Sequence, residues 1–139
     1  MIDREAIVSA ARSQIGRPFK HQGRRPDTGF DCIGLVLYAY SSSGHARILD
    51  HDRRGYGRQP AGDTLRMAIE DVFDRTDMPL PGDIAVFSFA KSAQHVGIVT
   101  EVGLCHAHNP VGGNHVVVEH ALDDRWMRHL VAFYRLKEA

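Results

Sequence analysis

Hydrophobic positions in the first third of the chain recur with helical spacing. Asp3 can cap a first helix that runs to about Ile15, and Gly16 then stops it. Asp31 can cap a second helix over residues 32–42. Because this second helix is apolar on nearly all sides, we predict that it is the buried one.

An amphipathic stripe predicts a third helix after Gly62-Asp63-Thr64. Its apolar members recur at i, i+3, i+4, i+7 and i+8: Leu65, Ala68, Ile69, Val72 and Phe73. Two polar segments are predicted to be loops, namely residues 20–30 and the long stretch from Arg47 to Gly62.

The second half of the chain alternates short apolar runs with turn residues, a pattern typical of strands. Five strands are predicted: 84–89, 95–100, 104–108, 115–120 and 131–136. Helices first and strands afterwards indicate an α+β fold with an antiparallel sheet. With no repeat or linker, residues 1–139 are predicted to form a single domain.

Composition excludes several classes of function. The chain has 17 Lys and Arg against 17 Asp and Glu, which argues against a nucleic-acid binder. No apolar run approaches the roughly 20 residues of a membrane span, so membrane insertion is not expected. The charged start, Met1 to Glu5, lacks the apolar stretch of a signal peptide, and we expect synthesis in the cytoplasm without one.

The two cysteines, Cys32 and Cys105, are too few for a disulfide framework and are expected to be reduced. Cys32 falls in the first turn of the predicted second helix. There the helix dipole and unpaired N–H groups favour the thiolate, the nucleophilic form. The alternative is a buried cysteine that acts as a small hydrophobic residue, which is our interpretation of Cys105.

Two of the nine histidines are distinguished by position. His95 stands at the entrance to an apolar strand, and His106 lies on the strand expected to pair with it. A cysteine, a histidine base and a polar residue that orients the base form the arrangement of thiol hydrolases. Three other histidines are predicted to be surface or edge residues: His115, His120 and His129.

A metal site is the rival interpretation of this region, built from Cys105, His106 and His108, with His95 as a further ligand. Alternate residues of a strand point to opposite faces, so Cys105 would point away from both histidines. We therefore expect no metal. The pairs Arg24-Arg25 and Arg53-Arg54 are interpreted as solvated loop charges, with contacts to anionic glycan or carboxylates as the alternative.

Several fragments of the chain resemble the NlpC/P60 family of cysteine peptidases in the same order. They are Gly16-Arg17-Pro18-Phe19-Lys20-His21, the run from Gly29 to Val36, the run from Pro81 to Phe87, His95-Val96-Gly97-Ile98-Val99 and His106-Ala107. The ending, with Trp126 and Ala132-Phe133-Tyr134-Arg135, is similar to the branch called phage cell wall peptidases, which occurs in phage tails and gene transfer agents.

This resemblance implies a papain-like α+β fold, with N-terminal helices packed on an antiparallel sheet. It implies hydrolysis of stem or cross-bridge peptide bonds in bacterial peptidoglycan, with Cys32 as nucleophile, His95 as base and then acid, and His106 as orienter. The backbone N–H of Cys32 is a natural oxyanion donor. No metal or organic cofactor is implied, and an amidase or acyltransferase reaction stays open because fold and triad do not define the leaving group.

Two departures from the family pattern bear on the substrate. Phe19 stands where many members have a tyrosine whose hydroxyl is thought to help the oxyanion site. His21 can take that role if the segment is extended. Ile33 replaces a serine that, in some relatives, binds a stem-peptide amino terminus together with the neighbouring aspartate. The candidate substrate or oxyanion residues are Asp31, Phe19, His21 and Gln22.

The phage branch implies a protein carried in the virion tail that acts on the bacterial cell wall. Its partners would then be tail-tip or baseplate proteins besides the peptidoglycan substrate. The zero net charge offers no evident attraction to an anionic wall, which fits delivery by a larger assembly. The alternative is a catalytically weak or inactive structural tail-tip protein that retains the peptidase fold.

Overall fold

A computed structural model describes residues 2–52, 64–89, 95–110 and 113–137. The first three α-helices precede the six strands of the main antiparallel sheet in the chain, and this confirms the predicted α+β architecture. The helices of the described ranges are α1 (Arg4–Arg12), α2 (Cys32–Ser41), α3 (Thr64–Val72) and α4 (Asp124–Met127), with a 3₁₀ helix at Ala46–His51. The strands are β1 (Arg24–Arg25), β2 (Gly29–Phe30), β3 (Phe73–Thr76), β4 (Ile84–Phe87), β5 (His95–Val99), β6 (Leu104–Ala107), β7 (Val117–His120) and β8 (Leu130–Leu136).

The first two helices begin where their aspartate caps predict. The Asp3 carboxylate accepts a hydrogen bond from the backbone N–H of Ala6 at 3.1 Å, and Asp31 accepts one from Gly34 at 2.8 Å. Helix α1 ends at Arg12 and continues into a turn, so it is shorter than predicted.

Helix α2 lies at the centre of the fold and packs across β5 and β6. Leu35, Ala39 and Tyr40 are fully buried, as expected for a helix that is apolar all round. The Tyr40 hydroxyl donates to the carbonyl of Gly82, which ties the end of α2 to the turn before β4. This packing fixes the amino-terminal end of α2 against the sheet.

The main sheet has six strands in the order β3-β8-β4-β5-β6-β7, and every neighbouring pair is antiparallel. Strands β5 and β6 pair only through Ile98 with Cys105 and Val99 with Leu104. This ladder therefore does not extend to His95 and His106.

The two faces of the sheet are covered differently. On one face, residues such as Val96, Ile98 and Cys105 join the core beneath the helices. On the other face, Phe87 and Trp126 belong to a smaller apolar cluster. The free thiol of Cys105 is buried in the main core, which confirms its interpretation as a core residue.

Other elements also differ from the sequence-based expectations, and the loop predicted from Arg47 begins within the 3₁₀ helix Ala46–His51. Phe73, predicted to close the stripe of α3, is instead the first residue of β3 and pairs with Leu136. The predicted loop at residues 20–30 contains the β1–β2 hairpin. Helix α4 was not predicted. Residues 53–63, with the Arg53-Arg54 pair, lie outside the described residues.

Within the described ranges, no helix combines the length and the apolar character needed to cross a lipid bilayer.

Candidate active site

Cys32 is the first residue of α2, and its thiol faces the start of β5. The backbone N–H groups of Ile33 and Val96 lie within hydrogen-bonding reach of the sulfur. Val96 follows His95 directly in the chain. The thiol therefore lies where the amino-terminal end of a buried helix meets the strand that carries the predicted base.

Two effects favour the protonated form of the Cys32 thiol. Burial, and then the negative charge of Asp31, raise the pKa of Cys32 to about 12, although the N–H groups of Val96 and Ile33 oppose this shift. These effects oppose the thiolate that the helix terminus is expected to favour. The dipole of α2 acts on a half-buried cysteine that lies beside a capping carboxylate.

Asp31 anchors an ionic cluster on one side of Cys32. Its carboxylate accepts from the backbone N–H of Gly34 at 2.8 Å, from that of Gln22 at 2.9 Å and from the Arg24 guanidinium at 2.9 Å. Arg24 also donates to Asp52 at 3.1 Å, and its side chain is only 8% exposed. The interpretation of Arg24 as a solvated loop charge is therefore wrong, whereas Arg25 is exposed.

His95 and His106 are in direct hydrogen-bonding contact. Nε2 of His95 lies 2.6 Å from Nδ1 of His106, with the two rings nearly perpendicular. Because Nε2 of His95 is engaged in this way, Nδ1 is the nitrogen left to act on the thiol. The structure thus brings together the predicted base and the predicted orienter.

A third histidine continues this contact away from the thiol. Nε2 of His106 lies 2.8 Å from Nε2 of His120, and Nδ1 of His120 lies 2.8 Å from the carbonyl oxygen of Ala121. His120 lies on β7, the edge strand of the sheet, as predicted, but its contact with His106 was not predicted. We call the hydrogen-bonded series of His95, His106, His120 and the Ala121 carbonyl the histidine chain.

Trp126 covers the histidine chain. The Asp123 carboxylate caps α4 by accepting a hydrogen bond from the backbone N–H of Trp126 at 3.1 Å. This bond fixes the start of the helix that carries the indole. The ring centroid of Trp126 lies 5.0 to 6.0 Å from those of four histidines: His95, His106, His108 and His120. The indole therefore restricts the access of water to the chain.

The neutral form is favoured for three of these histidines: His95, His106 and His108. Burial lowers the pKa of His95 to about 3, with smaller contributions from His108 and His120, and burial lowers the pKa of His106 well below its ordinary value. His108 is shifted in the same direction and mainly by the same cause. A neutral imidazole is the form that can accept a proton, so His95 is in the protonation state of a general base.

Gly97 makes room for the histidine contact. A Cβ atom at Gly97 would lie 2.9 Å from Cβ of His106 and 2.7 Å from Cδ1 of Leu104, closer than real side-chain contacts allow. The absence of a side chain at this position lets His106 lie against β5, within reach of His95.

Among the residues the structure describes, no group of three or more His, Cys, Asp or Glu side chains is arranged to hold a metal ion. His106 and His108 share a face, with ring centroids 4.8 Å apart, whereas Cys105 points into the opposite core. The arrangement of the imidazoles is thus one of hydrogen bonding between rings.

The remaining candidate residues, Phe19, His21 and Gln22, lie in the segment before the β1–β2 hairpin. Phe19 forms an isolated β-bridge with Phe30, and Phe30 lies two residues before Cys32. The Phe19 side chain packs against the main core. The chain then turns, since the N–H of Gly23 bonds to the carbonyl of Lys20 at 2.8 Å. The extended geometry that would put His21 beside Phe19 is therefore absent.

Gln22 lies in the same turn with a positive φ of 58°, and its backbone N–H donates to Asp31. Through this bond Gln22 helps to hold the start of α2. Roles in substrate binding for Phe19, His21, Gln22 and Asp31 stay predictions.

Sequence reasoning missed His120 and Trp126 as members of the site. His120 pairs with Leu104 across β6 and β7, which puts it diagonal to His106 on the same face. A signal was available in the alternation of His106, His108 and His120 on two strands expected to be neighbours. Nothing local marks Trp126, because the short helix α4 brings it to the cluster.

Known proteins resemble this chain over most of its length. The sequence model of the NlpC/P60 family matches residues 16–135. The chain is 36% identical over 102 residues to the probable endopeptidase Rv2190c of Mycobacterium tuberculosis, an alignment that covers 73% of this chain and 22% of that protein. It is 30% identical over 134 residues to the murein DD-endopeptidase MepH of Escherichia coli, covering 95% of this chain and 45% of that protein.

The chain thus spans less than half the length of these curated relatives. Among solved structures, it matches a lipoprotein-like member of the NLP/P60 family from Staphylococcus aureus with a TM-score of 0.68 and 22% identity. That match covers 100% of this chain and 43% of the other. At this identity the likeness shows the fold.

Proposed function

Because the chain belongs to the NlpC/P60 family, we propose that it is a peptidoglycan peptidase whose Cys32 thiol attacks a peptide bond of the stem or cross-bridge. The observation that carries the proposal is the contact between His95 and His106 beside the thiol-bearing end of α2. This contact supports the proposal, because thiol hydrolysis needs a nucleophile, a base and a group that orients the base.

The first step begins from a neutral pair. As Sγ of Cys32 forms a bond to the substrate carbonyl carbon, the thiol proton passes to Nδ1 of His95 and the carbonyl oxygen becomes an oxyanion. The first N–H groups of a helix have no acceptor within the helix, so the N–H of Cys32 can donate to this oxyanion. His106 holds the imidazolium of His95 in place during the step.

The second half of the reaction returns the enzyme to its resting state. His95 gives its proton to the leaving amine, the peptide C–N bond breaks, and the acyl group stays on Sγ as a thioester. Water, deprotonated by His95, then attacks the thioester and releases a carboxylic acid and the neutral thiol. Every step uses residues of this chain and water.

The relatives support the substrate class, since both are named endopeptidases and MepH is named for murein. They support cleavage within the peptide part of peptidoglycan. Ile33 and the occupied carboxylate of Asp31 bear on which bond is cut, because Asp31 already accepts from Gln22, Arg24 and Gly34.

A phage or prophage tail tip is our proposal for where the protein acts. The similarity of the chain ending to phage cell wall peptidases supports it, and so does the balance of 17 basic and 17 acidic residues, which gives no net attraction to an anionic wall. Peptide mass spectrometry of purified phage particles tests this: detection in the tail fraction supports it, and detection only in lysate contradicts it.

Release of soluble fragments from purified peptidoglycan tests the enzymatic proposal. We expect the wild type to release fragments and Cys32→Ala to release none above background. Cys105→Ala is the matched control, because it removes the other thiol from the core on which α2 packs and should retain activity. Equal, negligible release by wild type and Cys32→Ala would favour the alternative, a structural tail-tip protein without activity.

A further inference from the structure

We propose that His120 is a positioning residue that fixes the tautomers of His106 and His95 and so leaves Nδ1 of His95 free of a proton. The inference deepens the proposed function and rests on it in one respect, namely that His95 is the base acting on Cys32. It follows from the donors and acceptors at each contact of the histidine chain.

The far end of the histidine chain sets its direction. The carbonyl oxygen of Ala121 can only accept a hydrogen bond, and it lies 2.8 Å from Nδ1 of His120. Nδ1 of His120 must therefore carry the proton. In a neutral imidazole the other nitrogen is then an acceptor, so Nε2 of His120 presents a lone pair to His106.

The same reasoning assigns the donor and acceptor nitrogens of His106 and His95. Nε2 of His106, 2.8 Å from that lone pair, must donate, which leaves Nδ1 of His106 as an acceptor. Nε2 of His95, 2.6 Å from that acceptor, must donate in turn. The neutral His95 then has no proton on Nδ1, the nitrogen left for the thiol.

Burial of His106 supports this assignment, whereas the bond from His120 to the Ala121 carbonyl lies at the exposed end of the histidine chain. His106 is fully buried, and Trp126 lies against the rings of His95, His106 and His120, so a reversed bond would find little water to satisfy it. Reversal would place a proton on Nδ1 of His95 and leave Nδ1 of His120 without a proton, facing a carbonyl lone pair. The fixed backbone carbonyl of Ala121 thus determines the protonation of a nitrogen three rings away.

The assignment can be read directly by NMR on the resting wild-type protein. Long-range proton–nitrogen correlation of the imidazole rings in ¹⁵N-labelled protein, at a pH where the rings are neutral, shows which nitrogen of each ring is protonated. We expect the proton on Nε2 in His95 and His106 and on Nδ1 in His120. A proton on Nδ1 of His95 or on Nε2 of His120 would overturn the proposal.

Variants at position 120 test the consequence for reactivity. His120→Leu removes the acceptor for Nε2 of His106, whereas His120→Gln offers an amide oxygen near the same place. We expect His120→Leu to slow alkylation of Cys32 by iodoacetamide about 10- to 100-fold, and His120→Gln to restore most of the rate. The exposed His51, replaced by leucine, is the matched control and should keep the wild-type rate.

Peptide mapping after alkylation distinguishes labelling of Cys32 from labelling of Cys105. In His120→Leu the NMR spectrum should also show a second His95 tautomer, which a purely structural role of His120 does not predict. Equal alkylation in all variants, or a loss in His120→Leu that His120→Gln does not restore, would contradict the proposal. These measurements need no peptidoglycan, so a protein that fails to hydrolyse the wall leaves their outcome fully interpretable.

Discussion

The polar network on the Asp31 side of Cys32 is ionic, whereas the network on the His95 side is neutral. Asp31, Arg24 and Asp52 satisfy one another as charges in a site where Arg24 is 8% exposed. The histidine chain is fully buried at His106, and burial lowers the pKa of His95 and His106, so their neutral forms are favoured. The Asp31 network holds charged groups in ion pairs, whereas the histidine chain holds neutral rings with their protons on defined nitrogens.

This difference assigns different tasks to two networks that lie near Cys32. The ionic cluster holds the start of α2, and the charge of Asp31 adds to burial in raising the pKa of the Cys32 thiol. The histidine chain supplies a base to which the thiol proton can move. We therefore expect damage to the ionic cluster to lower stability more than catalysis, and damage to the histidine chain to do the reverse.

Replacing His95 gives the largest expected effect. His95→Ala removes the base while Cys32 stays protonated, so kcat for peptidoglycan fragment release should fall about 10²- to 10⁴-fold. Circular dichroism should show a folded protein. Retention of more than half the wild-type rate would show that the thiol loses its proton to another group.

Replacing Asp31 tests the other network. Asp31→Asn keeps an amide oxygen as helix cap but removes the charge that faces Arg24, so the free energy of unfolding in urea should fall by about 2–3 kcal/mol. The same change removes a charge that raises the pKa of Cys32, and alkylation at a fixed pH should become faster. Unchanged stability together with lost hydrolysis would instead indicate that Asp31 acts on the substrate.

Gly97→Ala tests the space between β5 and His106. The added methyl group collides with Cβ of His106 and with Leu104, and relief of the collision should cost about 1–3 kcal/mol of unfolding free energy. Because the shift displaces His106 from His95, kcat should fall about tenfold or more. Gly44→Ala is a useful control, since nothing lies within 4 Å of its Cβ position, although its φ of +94° makes any side chain strained. Loss of stability in both variants with loss of activity in neither would contradict the account.

Lowering the pH should lower the free energy of unfolding, because the buried histidines bind protons more readily in the unfolded chain. The pKa of His95 falls from 6.5 in an ordinary setting to about 3 in the fold, so below pH 6.5 the unfolded chain binds a proton that the folded chain does not. Stability is therefore lost as the pH falls from 6.5 towards 3, by about 1.4 kcal/mol per pH unit for each such histidine. Urea titrations at pH 7.5, 6.5 and 5.5 measure this slope, and equal stability at pH 6.5 and 5.5 would contradict it.

Local signals predicted the first two helices because each begins at an aspartate whose carboxylate bonds to the helix. The strand β3 was missed because only its long-range pairing with β8 takes Phe73 out of the helical stripe. Short-range periodicity cannot report a pairing between residues more than 60 positions apart.

The residues of the site also divide into those that local sequence signals predicted and those that they did not. Cys32, His95 and His106 were identified from position and resemblance, whereas His120 and Trp126 join them only through sheet register and the short helix α4. The pKa shift of Cys32 opposes the predicted thiolate, because the local helix argument omits burial. Desolvation depends on what the whole fold packs around the sulfur.

Digestion of purified peptidoglycan in heavy-oxygen water tests the central claim most directly. Hydrolysis through a Cys32 thioester should place one heavy oxygen in the new carboxyl group of a stem or cross-bridge peptide, as read by mass spectrometry of the released fragments. Cys32→Ala should give no labelled fragment, and Cys105→Ala should give the wild-type pattern. Label confined to sugar ends, or labelled peptides from Cys32→Ala at the wild-type level, would contradict a thiol peptidase centred on Cys32.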